Sequence, residues 1–185
     1  DLFWAIRGGA GGNFGISTAF TLRTRPVDES ITVFRIVWRD RTLDVAEKLF
    51  EVADAAPVVL GTRIALGGVH PTSRGQGRQV PLTLLGQFAG SREAFEALLA
   101  PVLAVGKPDY AEIEETDYWS GQHFLLEEGE PGFYRERSAF HTEVPDRAFL
   151  AAAIDMMMEW PGTGASASMA DAVVKIPLKS KVESL

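Results

Sequence analysis

Two hydrophobic periods alternate along the chain. Phe14, Ile16, Thr18, Phe20, Leu22 and Thr24 alternate with Gly15, Ser17, Ala19, Thr21 and Arg23, a two-residue period that predicts a strand. Arg25-Pro26-Val27-Asp28 breaks it. Ile31 to Arg39 predicts a second strand, with Phe34, Ile36 and Trp38 on one face and Arg35 and Arg39 on the other. From Leu43 to Ala56 the period becomes helical: Leu43, Ala46, Leu49, Phe50 and Ala53 form a stripe, while Asp44, Glu47, Lys48 and Glu51 face away. Thr42 is placed to cap this helix and Pro57 to stop it. Strands at Val59–His70 and Gln79–Ala89 flank a polar hairpin loop, 71–78, with two glycines. A second helix follows Ser91, burying Phe95, Leu98, Leu99 and Val102, with Pro101 expected to bend it. Tyr110–Thr116 reads as a strand, Tyr118–Leu126 as a short helix and Phe133–Glu143 as a strand. Asp146–Trp160 reads as a helix ended by Pro161-Gly162, and Ser166–Ile176 as a last strand.

The central order is strand, helix, strand, strand, helix, strand, that of a ferredoxin-like βαββαβ unit. Each helix has one apolar stripe and so can cover only one side of a sheet. The expected fold is α+β: an antiparallel sheet of about six or seven strands with helices on one face.

Helices on one face leave the other open, and parity says what points there. Ala111 and Ile113 suit the core, which turns Glu112 and Glu114 outward; Tyr134 and Phe140 suit it too, which turns Arg135, Arg137 and His141 outward. Arg63 opposes Leu60, Ile64 and Leu66. Such a row of charges serves either as cross-strand ion pairs on a solvated face or as a polar substrate pocket. In the second case Arg63, Tyr110, Arg135, Arg137 and His141 are substrate-binding candidates, and Glu112 and Glu114 are candidate bases. Nearby arginines would lower a glutamate's pKa and weaken it as a base. Tyr110, Tyr118 and Trp119 can stack on a ring or fill a core edge. Met156, Met157 and Met158 read as core filler on the last helix.

Five of the eight residues from Gly8 to Gly15 are glycine. The dinucleotide fingerprint needs a third glycine where Phe14 stands, and the P-loop needs a Gly-Lys-Ser/Thr run that Gly12-Asn13-Phe14 does not supply. Both motifs also need a following helix, and the pattern predicts a strand. The glycines allow either a tight turn with a bulge or close backbone approach to a large ligand.

The opening stretch DLFWAIRGGAGGNFGISTAFTLR resembles the end of the FAD-binding domain of berberine-bridge-enzyme-like flavoproteins, in the vanillyl-alcohol-oxidase superfamily. The family pattern is D-x-F/L-W-A-x-R-G-G-G-G-N-F-G-I/V, and Ala10 replacing a frequent glycine is the obvious departure. A looser likeness to the family's substrate domain runs through most of the rest. The resemblance implies a flavin-contacting segment at Gly11, Gly12, Asn13, Gly15 and Ile16. It implies that residues 1–27 close a FAD-binding domain and that 28–185 form a substrate-binding domain. The main FAD cradle and a C-terminal segment would then lie outside this chain. FAD is expected in the full-length protein and not tightly held by the chain alone. The expected activity is hydride removal from an alcohol, sugar or alkaloid-like small molecule. The alternative reading is a cofactor-free ferredoxin-like binding or dimerisation module.

Composition narrows these readings. Eighteen basic against 25 acidic residues give a net charge of −7, without the basic footprint of a nucleic-acid binder. Apolar runs are short and broken by charge, against a membrane span. There is no cysteine, so neither a thiolate nor sulfur attachment of a flavin is available in this stretch. His70, His123 and His141 lie too far apart for a helical ligand pair, so no metal is expected. A cytoplasmic location is the default, with no signal fixing it. With its open face uncovered, the chain is expected to self-associate, most simply as a homodimer.

Overall fold

A computed structural model describes residues 2–8, 12–16, 18–24, 26–27, 30–69, 79–126, 137, 139, 143–159 and 168–173. After a short helix α1 (Leu2–Gly8) come β1 (Ile31–Trp38), α2 (Thr42–Ala55), β2 (Leu60–Gly67) and β3 (Leu82–Phe88). Then follow α3 (Arg92–Val105), β4 (Tyr110–Thr116), α4 (Tyr118–Leu125), α5 (Arg147–Met158) and β5 (Ser168–Val173). The strands form one five-stranded sheet in the order β4-β1-β3-β2-β5, with every neighbouring pair antiparallel.

Register assigns the two faces. Phe34, Ile36 and Trp38 stand beside Gly86, Leu84 and Leu82, which stand beside Thr62, Ile64 and Leu66. These rows meet the apolar stripes of α2 (Val45, Ala46, Leu49, Phe50, Ala53), α3 (Phe95, Leu99, Val102) and α5 (Leu150, Ala153, Met157). The Phe34 and Phe95 rings stack with centroids 4.2 Å apart and planes 12° from parallel. Gly86 makes room for Phe34: a Cβ there would lie 2.2 Å from the Gly61 carbonyl oxygen and 3.0 Å from Phe34 Cζ. Polar atoms inside this layer are bonded, as burial requires. Trp38 Nε1 donates to the Gly106 carbonyl at 3.0 Å, Thr42 Oγ1 to Val80 at 2.9 Å and Thr62 Oγ1 to Leu85 at 3.1 Å. The Val69 amide donates to the Met157 carbonyl at 3.0 Å, tying α5 to the end of β2.

Ser91, Asp117 and Asp146 cap α3, α4 and α5 by accepting from backbone amides one turn in. Thr42 does not cap α2. Arg41 occupies the cap position with φ 52°, and the Thr42 hydroxyl turns inward to Val80. Helix α3 runs through Pro101 without interruption.

Four features depart from the expectation. Residues 14–16 and 18–24 form no strand, and Ile16, Phe20 and Leu22 are 93%, 78% and 78% exposed. Their alternation suits a strand, but no described strand pairs with them, and one extended segment has no ladder to stabilise it. Helix α1 was not visible in the pattern, because Leu2, Phe3, Trp4 and Ile6 are all exposed rather than forming a buried stripe. The sheet has five strands among the described residues, not six or seven; the strand expected at 133–143 falls almost wholly outside them. Finally, helices do not keep to one face. Gly121 of α4 sits against Ile31 and Val33, whose side chains leave β1 on the side opposite Phe34.

Two outcomes follow from this packing. Gly86→Val forces a branched side chain into the backbone of β2, so Tm should fall by roughly 4–8 °C, from at least about 2 kcal/mol of overpacking; an unchanged Tm would contradict the register. The second concerns α5, held to α2 by Arg147, which donates to Asp44 Oδ1 at 2.8 Å and Glu47 Oε2 at 2.6 Å. The Arg147 bond, then the Arg41 bond, holds the Asp44 carboxyl below its usual 3.8. A lowered native pKa gives stability that is complete above the unfolded value and lost as pH falls through the native one. Acidification below about pH 3.8 should therefore lower Tm more steeply in the parent chain than in Asp44→Asn; equal slopes would show that the pair contributes nothing.

Candidate functional site

The second face of the sheet carries the charged candidates. Register places three rows there, each read from β2 across β3 and β1 to β4. They are Gly61, Gln87, Val33, Glu114; Arg63, Leu85, Arg35, Glu112; and Ala65, Thr83, Val37, Tyr110. Arg35, Arg63, Tyr110, Glu112 and Glu114 are exposed, while Leu85, between the two arginines, is 8% exposed.

Helix α4 covers one end of this face. Asp117 starts it, accepting from the Trp119 and Ser120 amides at 2.9 and 3.1 Å. The Ser120 hydroxyl bond is the main reason that the Asp117 carboxyl lies below its usual range. Close approach depends on Gly121, since a Cβ would lie 2.6 Å from Ile31 Cδ1 and 3.0 Å from Val33 Cγ1. Gln122 Nε2 donates to Gln87 Oε1 at 3.0 Å, and the Arg35 guanidinium lies 5.9 Å from the Phe124 ring centroid. Where α4 ends, a concavity of about 410 Å³ opens, lined by Gly61, Thr62, Arg63, Leu85, Gly86 and Leu125. It is a shallow depression, open to solvent on most of its sides.

Tyr110 and Glu112 form a pair at the far edge. The Tyr110 hydroxyl donates to Glu112 Oε2 at 2.8 Å, and this bond is the first reason that the phenol pKa is raised. The phenol thus holds its proton and fixes one carboxylate oxygen, Glu112 Oε2.

The candidates divide. Arg63, Tyr110, Glu112 and Glu114 do share the second face, as parity indicated. Arg63 and Glu112 share a row with two strands between them, so three inter-strand steps, roughly 14 Å, separate their backbones. Arg63 lines the concavity and the two glutamates do not. Arg137 is exposed, while Arg135 and His141 lie outside the described residues. Of the glycine segment, Gly12 and Gly15 have φ of 80° and 142°, with nothing within 4 Å of where a Cβ would stand. Asn13 and Ile16 beside them are exposed, and Gly11 lies outside the described residues. Both positions need glycine for their positive φ, and the backbone there is open on its outer side. Tyr118 and Trp119 meet edge to face at 5.8 Å, with Trp119 exposed. Of the three methionines, only Met157 is buried in the core. The pattern did not mark Leu85, Gln87 and Leu125, because their place at the site comes from register and from where α4 docks.

Comparison with known proteins adds independent information. No family profile and no solved structure matches the chain. Among curated proteins, it is 30% identical over 162 residues to berberine bridge enzyme-like 8 of Arabidopsis thaliana, covering 78% of this chain and 30% of that protein. It is 31% identical over 165 residues to reticuline oxidase of Eschscholzia californica, covering 80% of this chain and 29% of that protein. It is 32% identical over 129 residues to the uncharacterized FAD-linked oxidoreductase YvdP of Bacillus subtilis, covering 68% and 26%. The chain thus spans less than a third of the length of these relatives. Over that stretch it is a homologue of the berberine-bridge-enzyme-like, FAD-linked oxidoreductases.

Proposed function

We propose that this chain is the substrate-binding part of a FAD-dependent oxidoreductase that oxidises an alcohol, sugar or alkaloid-like small molecule. The observation that carries the reading is the second sheet face: charged, only partly covered by α4, and hollowed beside Arg63. An antiparallel sheet commonly leaves one face to solvent, so it is the depression beside Arg63, not the solvation of the face, that supports a site there.

In this reading residues 28–185 form the substrate domain. The order β4-β1-β3-β2 with antiparallel neighbours supports treating β1 to β4 and their two helices as a ferredoxin-like unit. Residues 1–27 close the FAD-binding domain, and the exposed Leu2, Phe3, Trp4, Phe20 and Leu22 support a role in packing against the rest of it. Gly11, Gly12, Asn13, Gly15 and Ile16 are the residues that would hold the flavin, which when bound would supply hydride-accepting chemistry. Arg63 holds one end of the substrate. Glu112, oriented by Tyr110, accepts the proton at the other, and Glu114, one row away, adds negative charge beside it. Because Arg63 and Glu112 stand three strand steps apart, only a substrate of more than one ring touches both.

The test is made on the full-length protein. It should purify with a flavin absorption band. Gly15→Val should weaken flavin retention roughly ten- to a hundredfold, from the cost of a branched residue at positive φ. Glu112→Gln should retain the flavin and slow its anaerobic reduction by substrate about a hundredfold. A colourless parent protein would contradict the reading, and undiminished reduction in Glu112→Gln would remove that residue from the mechanism.

A further inference from the structure

We infer that Arg92 guards the outer edge of β4, holding it closed to strand addition by a second copy of this chain. The inference stands on the geometry of the sheet edge and does not depend on the oxidoreductase reading.

Strand β4 ends the order β4-β1-β3-β2-β5 and, among the described residues, pairs only with β1. Such an edge presents N–H and C=O groups that another strand can use as a template. Alternation identifies them. The Asp109 amide donates to the Val37 carbonyl at 2.8 Å, so the odd-numbered residues of β1 turn their carbonyls toward β4. Ile113 stands opposite the even-numbered Phe34, so its own N–H and C=O turn outward, and those of Ala111 and Glu115 turn the same way.

Arg92, the first residue of α3, reaches this edge. Its Nη1 donates to the Ile113 carbonyl at 3.0 Å, and its Nε donates to Glu96 Oε1, one helical turn on, at 2.7 Å. Its backbone amide donates to Glu115 Oε2 at 2.9 Å, while the Ser30 hydroxyl donates to the other oxygen of that carboxylate at 3.0 Å. The Arg92 bond is the first reason that the Glu115 carboxyl lies below its usual range. The side chains of Arg92 and Glu96 are 54% and 44% exposed, and an ion pair that open adds little to stability. Its effect on association is larger, because an incoming strand must displace the guanidinium before it can bond to Ile113.

The second copy is the occupant that this edge fits and refuses. Pairing about a two-fold axis at Ile113 would bond Ile113 of each copy to Ile113 of the other, through the carbonyl that Arg92 holds. The same pairing would set Glu112 of one copy opposite Glu114 of the other, twice, and like charges directly opposite are unfavourable. The backbone is thus self-complementary at Ile113, and two devices block it: the guanidinium on the carbonyl and the carboxylates on either side.

Sedimentation of the protein at rising concentration, with amide hydrogen exchange read at Ile113, tests this. Arg92→Ala should dimerise about tenfold more tightly than the parent. Adding Glu114→Lys converts both like-charge contacts into Glu–Lys pairs. It should tighten the dimer about tenfold again, with the Ile113 amide protected in the dimer. Arg92→Met, which keeps the stem and loses the donors, should behave as Arg92→Ala does and covers the case in which the alanine variant folds poorly. Arg92→Lys, which keeps a charge at the edge, should stay near the parent. Association equal to the parent's in Arg92→Met and in the double variant would overturn the proposal. So would a dimer in which Ile113 exchanges as freely as in the monomer, or a monomeric parent whose Ile113 amide is already protected by another strand.

Discussion

Strand β1 must be buried on both sides, and the rest of the structure is arranged to satisfy it. Seven of its eight residues are apolar or buried, and only Arg35 is exposed. Phe34, Ile36 and Trp38 need one cover and Ile31 and Val33 another. Helices α2, α3 and α5 provide the first layer, and α4 provides the second, over one end only. Trp38 is closed off by its bond to Gly106 at the end of α3. Phe34 is closed off by Phe95 on one side and the bare backbone of Gly86 on the other. A helix as short as α4 cannot cover a five-stranded sheet, and what it leaves uncovered among the described residues includes the candidate site.

This arrangement explains what was legible in the sequence. A helical stripe from Leu43 to Ala56 reads directly as α2, because six of its positions are buried at helical spacing against one surface. Alternation likewise marks β1 and the outward turn of Arg63, Glu112 and Glu114. Periodicity says which residues share a side of their own element, but not which element lies opposite. The docking of α4 is an example. Its signal is a single small residue, Gly121, whose meaning depends on Ile31 and Val33, some 90 positions earlier. The N-terminal alternation from Phe14 to Thr24 misled for the converse reason: a strand pattern forms no strand without a neighbour to complete its hydrogen bonds.

Register also separates two chemistries that the linear sequence mixes. Charged residues on the second face could be read as a continuous ion-pair ladder. The rows put Glu112 opposite Arg35 in register, and the concavity lies at the Arg63 end. The Tyr110–Glu112 hydrogen bond belongs to the opposite edge. Under the proposed function, proton handling and ligand anchoring would fall at different ends of one row, which would set a minimum size for a molecule that uses both.

The claim that β1 is the doubly covered centre is tested most directly by native-state amide hydrogen exchange. The amides of Phe34, Ile36 and Trp38 on β1 and of Leu84 on β3 should exchange only through global unfolding, with free energies equal to that from denaturant melting. The amides of α4 should exchange through a smaller, local opening. If β1 instead exchanges at the rate of α4, or more readily than β2, the strand is not the element on which the fold depends, and the account given for the second face falls with it.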